Sequence, residues 1–220
     1  MWLTGKYGQD GKVIYDVLLR NARAIDCVVP GAGHVDVIPS NLSLAELDVD
    51  LQNVYNREHR LATAMRHLHD AYDYIIVDCP PNLGLSTVNA FAAADIVIIP
   101  VECKGESFEA VGRLLRTIKK IRDELERIIR VQALPTFLER TTVAKGIHSA
   151  IKEKFEELTL PPIHKNTRLP AAFIARQPII QYDPIASGTL DYLRVAKELI
   201  DALEKGQKQK PIRRLDRSSS

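Results

Sequence analysis

Apolar positions along the chain recur with two different periods, and the two kinds of stretch alternate. Spaced three and four apart they predict amphipathic helices: Val13, Ile14, Val17 and Leu18 over 12–21, and Leu61, Met65 and Leu68 over 57–70. The same spacing recurs with Val143, Ile147, Ile151 and Phe155 over 142–157, and with Leu190, Leu193, Ala196, Ile200 and Leu203 over 188–204. Residues 106–127, with Phe108, Val111, Ile118, Ile121 and Leu125, predict a helix about six turns long. Residues 85–94 read as a helix of small and apolar side chains. Between these lie short apolar runs bounded by turn residues, at 35–38, 72–78, 95–101 and 128–134. Runs of that kind read as strands, and the wholly apolar ones as strands buried on both faces, which belong to parallel sheets covered by helices. The alternation predicts an α/β fold, a mostly parallel sheet with helices on both faces.

Composition changes this picture only in part. A length of 220 residues suits one domain, expected here as a single α/β domain over 1–204 followed by a tail over 205–220. With 45% hydrophobic and 26% charged residues the chain has the make-up of an ordinary globular protein. No apolar run nears the roughly 18 residues that a membrane span needs. The opening MWLTGKYGQDGK lacks the apolar centre of a secretory signal, so a cytoplasmic location is expected and no membrane partner. Cys27, Cys79 and Cys103 are scattered and odd in number, which argues against disulfides or zinc and for buried, reduced thiols. The net charge of +2 says little, but its distribution says more. Lys205, Lys208, Lys210, Arg213, Arg214 and Arg217 stand against Asp216 alone, so the tail is expected to be disordered; it either solubilises the chain or attracts nucleic acid.

The candidate chemistry centres on YDYIIVDCPPNLGLS, residues 72–86. Asp78 ends an apolar run, so it is expected at the carboxyl end of a strand, where open α/β sheets place their ligand crevice. A carboxylate there orients a bound cation or its water, or it simply caps the following turn. Two glycine-rich stretches imitate phosphate loops. Gly5 and Gly11 are one residue too far apart for GxxxxGK, and Val13 follows Lys12 where a hydroxyl is needed. Gly31, Ala32 and Gly33 precede a predicted strand instead of following one, so a turn is expected. His59, His67 and His69 have no Asp or Cys at ligand spacing and read as surface residues.

Three stretches carry a resemblance: VDVIPSNLSLAELDVDL; then YDYIIVDCPPNLGLSTVNAFAAADIVIIPVECKGESFEAVGRLLRTI; then NTRLPAAFIARQPIIQYDPIASGTLDYLRVAKELI. In that order they resemble the ParA-type partition ATPases, the relatives of Soj and MinD, across about residues 2–204. The resemblance implies a P-loop NTPase-like fold and a chromosome or plasmid partition protein of the cytoplasm and nucleoid. Such a protein sandwiches ATP and Mg in a homodimer, binds DNA non-specifically, and releases it after hydrolysis stimulated by a ParB-like partner. Asp78 matches the Walker B acid that holds magnesium through water, and Pro80 and Pro81 match the turn near the terminal phosphate. Thr136 and Phe137, with Leu169 and Pro170 in the loop from Lys165, match the borders of the adenine pocket. Arg168 matches a loop in which relatives carry a DNA-contacting arginine, with Lys165, Arg140, Lys145 and Arg176 as further candidates. The family's opening strand, its KGGxGKT loop and its DxDPQ motif have no counterpart in these residues. The chain is therefore expected to be either a truncated form or a relative inactive in hydrolysis by itself, which leaves enzyme and non-catalytic scaffold both open. A MinD-like membrane role fits less well, because only Pro211, Ile212 and Leu215 are apolar in the tail.

Overall fold

The computed structural model describes residues 11–31, 35–80, 84–104 and 130–208, together with Gly112, Arg116, Lys119 and Asp123. The chain divides into two compact units, one of residues 1–97 with 113–131, the other of residues 98–112 with 132–220.

The first unit is built on helices. α1 (Ile14–Leu19) follows the predicted stripe and buries Val17 and Leu18. Residues 29–30 (β1) and 36–37 (β2) pair antiparallel, Val29 with Val37 and Pro30 with Asp36, so the predicted strand at 35–38 is one arm of a short hairpin. Asn41 then caps the next helical stretch, its Oδ1 accepting the Ser43 N–H at 3.1 Å. That stretch is a 3-10 turn, Leu42–Glu46, running into α2 (Leu47–Asp50). The predicted helix over 57–70 is a 3-10 turn, then α3 (Arg60–Met65), then a second 3-10 turn to Leu68. α4 (Leu85–Ala93) completes the unit. α1 packs on α3 and α3 on α4, around a core of Leu18, Leu47, Leu51, Leu61, Met65 and Ala90.

Asn89 of α4 is fully buried and ties this unit together. Its Oδ1 accepts the Leu61 N–H at 3.0 Å, and its Nδ2 donates to the carbonyls of Arg57 at 2.8 Å and Leu85 at 3.0 Å. Gly84 has no side chain with which to cap α4. Asp48 supplies the acceptor instead, its Oδ1 taking the Leu85 N–H at 2.7 Å.

One expectation fails here. Residues 72–78, expected as a strand buried on both faces, form no ladder, and Tyr74, Ile75, Ile76 and Val77 are exposed, Ile76 at 93%. The apolar, β-branched run has the composition of a strand, but that preference measures fit to a pleated surface with neighbours. Among the described residues nothing pairs with this backbone, and its side chains stay in water. Asp78 is accordingly exposed and does not end a sheet strand. Cys79 is exposed too, against the expectation of three buried thiols; Cys27 and Cys103 are buried and free.

The second unit holds the parallel sheet. β3 (Ile96–Glu102) and β4 (Arg130–Thr136) are neighbours. The Cys103 N–H, just past β3, donates to the carbonyl of Thr136 at the end of β4, so the strands run the same way. A third row continues the ladder. Leu160 and Ile163 donate to the carbonyls of Ala133 and Pro135, the Leu138 N–H donates to the Ile163 carbonyl, and the Lys165 N–H donates to the Leu138 carbonyl, all in parallel sense. Pro161 and Pro162 fall between the donating residues, where no N–H is needed.

α5 (Thr142–Phe155) starts at Thr141, whose Oγ1 accepts the Ala144 N–H at 3.2 Å, and it carries Lys152 and Lys154 in its last turn, where the helix dipole favours them. α6 (Arg168–Ile174), α7 (Ile179–Tyr182) and α8 (Ser187–Lys208) follow. Leu160, Ile163 and Val195 form a core with Leu134, Leu169 and Leu199 packed against it. α8 continues four residues beyond the predicted end at Glu204, while 209–220 lie outside the described residues. Of the predicted long helix over 106–127, Gly112, Arg116, Lys119 and Asp123 are helical and the rest lies outside the described residues.

Candidate functional site

At the carboxyl end of the parallel ladder the chain turns through Thr136, Phe137 and Leu138, and the third row delivers residues 164–168 beside them. That end is where parallel sheets present ligand sites, because the strand ends and the loops beyond them leave polar groups uncovered. Phe137 has a left-handed backbone, φ 52, and a 44% exposed ring with the Lys104 ammonium 4.3 Å from its centroid.

The loop 164–168 is held by a chain of polar contacts. His164 donates its N–H to Asp191 Oδ2 at 3.0 Å and places Nδ1 2.9 Å from the same oxygen. Asp191 is 3% exposed, and Arg194 reaches its other oxygen at 3.1 Å. Lys165 pairs with Glu139 at 2.6 Å, and this contact holds the Glu139 carboxyl below its usual range. Asn166 uses both ends of its side chain: Oδ1 accepts the Arg168 N–H at 2.7 Å, and Nδ2 donates to Ser187 Oγ at 2.7 Å. Gly188 lies under this loop; a Cβ there would come within 3.3 Å of the Asn166 and Leu169 side chains, which would have to give by a few tenths of an ångström.

The result is a recess of about 420 Å³ lined by Lys165, Asn166, Thr167, Arg168, Asp183 and Ser187, with Ile185 and Ala186. Arg168, the first residue of α6, pairs with Asp183 at 3.2 Å. Both cations are more than half exposed, Lys165 at 58% and Arg168 at 59%. Exposed pairs of this kind contribute about 0–1 kcal/mol, so a phosphate oxygen competes for either cation at small cost.

The residues singled out from the sequence separate into groups. Lys165 and Arg168 meet in the recess. Leu169 turns into the core, while Pro170 sits exposed in the first turn of α6, where its missing N–H costs nothing. Thr136 is half-buried and its carbonyl belongs to the ladder. Arg140, Lys145 and Arg176 are exposed and outside the recess, Arg176 with φ 54. Asp78 is exposed and Pro80 half-buried in the first unit, and Pro81 lies outside the described residues. Asn166, Asp183 and Asp191 escaped the sequence reading. Asp183 stands in a YDP turn 15 positions from the arginine it pairs with, a separation that no local pattern bridges.

Comparison with known proteins places this geometry. A family described as an AAA domain matches residues 4–131. The sporulation initiation inhibitor protein Soj of Bacillus subtilis (strain 168) is 36% identical over 190 residues, 84% of this chain and 75% of its own length. The chain belongs to the ParA/Soj family of partition ATPases. The chromosome partitioning protein ParA of Caulobacter vibrioides (strain NA1000 / CB15N) is 32% identical over 199 residues, 85% of this chain and 72% of its own. The cobyrinic acid a,c-diamide synthase of Mycobacterium smegmatis, solved with an ATP analogue and magnesium, superposes with a TM-score of 0.74 at 26% identity, covering 94% of this chain and 77% of its own. The fold class is thus the ParA-like α/β fold of the P-loop NTPases. In this ParA/Soj-family chain Lys165 and Arg168 line one recess beside the carboxyl ends of the strands.

Proposed function

We propose that this chain acts in ATP-dependent DNA segregation, as a partition protein that responds to ATP and Mg, binds DNA without sequence preference and answers to a ParB-like partner, working as a homodimer. The observation that carries the reading is the recess in which Lys165, Thr167 and Arg168 converge at the carboxyl end of the ladder. In this reading Arg168 and Lys165, themselves exposed, exchange their half-buried carboxylate partners for DNA phosphates, and Arg140, Lys145 and Arg176 add positive charge. Phosphate contacts of this sort fix the protein on the duplex without reading its sequence.

By the resemblance, Thr136, Phe137, Leu169 and Pro170 are the candidates for bordering an adenine, and Pro80 and Pro81 are separately the candidates for the phosphate end. Magnesium keeps several waters and takes one or two carboxylates plus phosphate oxygens. Asp78 is exposed and makes no hydrogen bond among the described residues, so its single accessible carboxylate fits a magnesium-bound water. When bound, the ion supplies charge neutralisation at the phosphates; Asp78 orients its water.

Two titrations of the purified chain test this. ATP with magnesium is expected to raise the melting temperature, by an amount equivalent to about 2.7 kcal/mol at a hundredfold excess over Kd, and Asp78→Ala to weaken that rise. With ATP present, a random-sequence duplex is expected to be bound with an affinity that falls steeply with salt, and less tightly by Arg168→Glu. No melting shift in a cooperatively unfolding sample would remove the nucleotide part and leave a non-catalytic scaffold. Duplex affinity indifferent to salt and to Arg168→Glu would remove the DNA part.

A further inference from the structure

The first unit carries a second concentration of positive charge that the partition reading leaves unused. α3 and the 3-10 turn after it place Arg60, Thr63 and His67 on one face, at helical spacing. With Lys12, Arg20 and Arg23 from the α1 region, they line a recess of about 390 Å³.

Four cations meet one carboxylate there. That carboxylate, Asp26, is already taken by Arg23 through a two-bond fork, Nε to Oδ2 at 2.8 Å and Nη2 to Oδ1 at 2.7 Å. Lys12, Arg20 and Arg60 have no ion pair among the described residues. The Nε of Arg60 is buried and has no hydrogen-bond partner. Burial, with the neighbouring Arg20 charge adding to it, pushes the Arg60 guanidinium down from its ordinary value. Arg20 is fixed beside it by the end of α1: its backbone is left-handed, φ 65, and its N–H donates to the carbonyls of Asp16 and Val17. A buried donor without an acceptor and two like charges brought together are both unfavourable, and one anion relieves both.

We propose that this recess is a phosphate-binding site, in which Arg60 and Arg20 grip the phosphate oxygens while Lys12 and the Thr63 hydroxyl border it. Guanidinium forks match phosphate geometry better than an ammonium does. The space is within the range of small-molecule sites, about 300–1,000 Å³, so it admits inorganic phosphate or a small phosphate monoester. It is a concave recess, into which a single phosphate group enters more readily than a duplex rail.

The test uses the full chain, labelled with 15N, and follows the arginine Nε–H signals during titration with inorganic phosphate and, separately, with glycerol 3-phosphate, at ionic strength held constant with NaCl. The signal missing from Arg60→Gln is expected to shift saturably, and the melting temperature to rise above that in chloride. Arg20→Gln, a change at an exposed side chain, is expected to abolish that rise, and Lys197→Gln, at an exposed position of α8, to keep it. Glycerol 3-phosphate tighter by about tenfold or more would identify a monoester site; equal or weaker binding would identify a free-phosphate site. An equal melting rise in wild type and Arg20→Gln would overturn the proposal. So would an unmoved Arg60 signal, or a shift produced only by a DNA duplex.

Discussion

Two stretches of nearly the same composition, YIIV at 74–77 and IVIIPV at 96–101, meet different fates in this molecule. In the second, every other side chain is buried: Val97, Ile99 and Val101 are 9%, 4% and 1% exposed. Its backbone pairs with β4, and the Cys103 amide just beyond continues the ladder to Thr136. In the first, the backbone has no ladder and the same kinds of side chain face water. The difference teaches that a β-branched run is a strand only where another strand completes it. Burial and hydrogen bonding come together or not at all, because an apolar face can leave water only if the polar backbone beside it is also satisfied.

The sharpest way to break this comparison is to shorten a side chain in each stretch. Ile99→Ala removes a packed side chain and is expected to cost about 3 kcal/mol in urea-induced unfolding, the middle of the range for such cavities. A cost below about 1 kcal/mol would mean that β3 is not the packed strand described.

A smaller, pH-dependent effect should distinguish the second unit. His148 on α5 has a buried Nε2 with no partner, and burial, with Lys152 and His164 adding their charges, lowers its pKa from 6.5. Between the folded value and 6.5 the unfolded chain binds more protons than the folded one, so stability rises with pH across that window. The contribution is complete above 6.5 and is lost as the pH falls through the window. Urea midpoints measured across it should slope less in His148→Gln than in wild type; equal slopes would place the titration elsewhere.

The smallest effect is expected at Ile76. Ile76→Ser changes a 93% exposed side chain and should shift stability by no more than about 0.5 kcal/mol. A loss of 2 kcal/mol or more would show that residues 74–77 are buried in solution, and the contrast between the two stretches would disappear.

Much of the helical frame was legible because its signal is local. Leu61, Met65 and Leu68 fall on one face whatever surrounds them, and Asn41 caps the turn that follows it. Arg168 was singled out only through resemblance, and its partner Asp183 lies 15 positions further along the chain, beyond the reach of any local pattern. Asn89 was not legible at all: within LSTVNAFAA it looks like any small polar residue, and its value comes from Leu61 and Arg57, 28 and 32 positions away. The third row of the ladder was hidden by Pro161 and Pro162, which have no N–H to pair; the row is made by the amides of Leu160, Ile163 and Lys165 on either side of them.

By itself the sequence determined where helices form and how the apolar positions alternate, because helix bonds and periodic faces involve residues three and four apart. Tertiary structure alone decided which apolar runs become strands, which cations find carboxylates and which do not. Lys165 and Arg168 are partnered by Glu139 and Asp183, while Arg20 and Arg60 line one recess with no ion pair of their own among the described residues. Such choices depend on groups remote in the chain being brought within a few ångströms, and the free energy of an ion pair or a buried donor is set at that distance, not by position in the sequence.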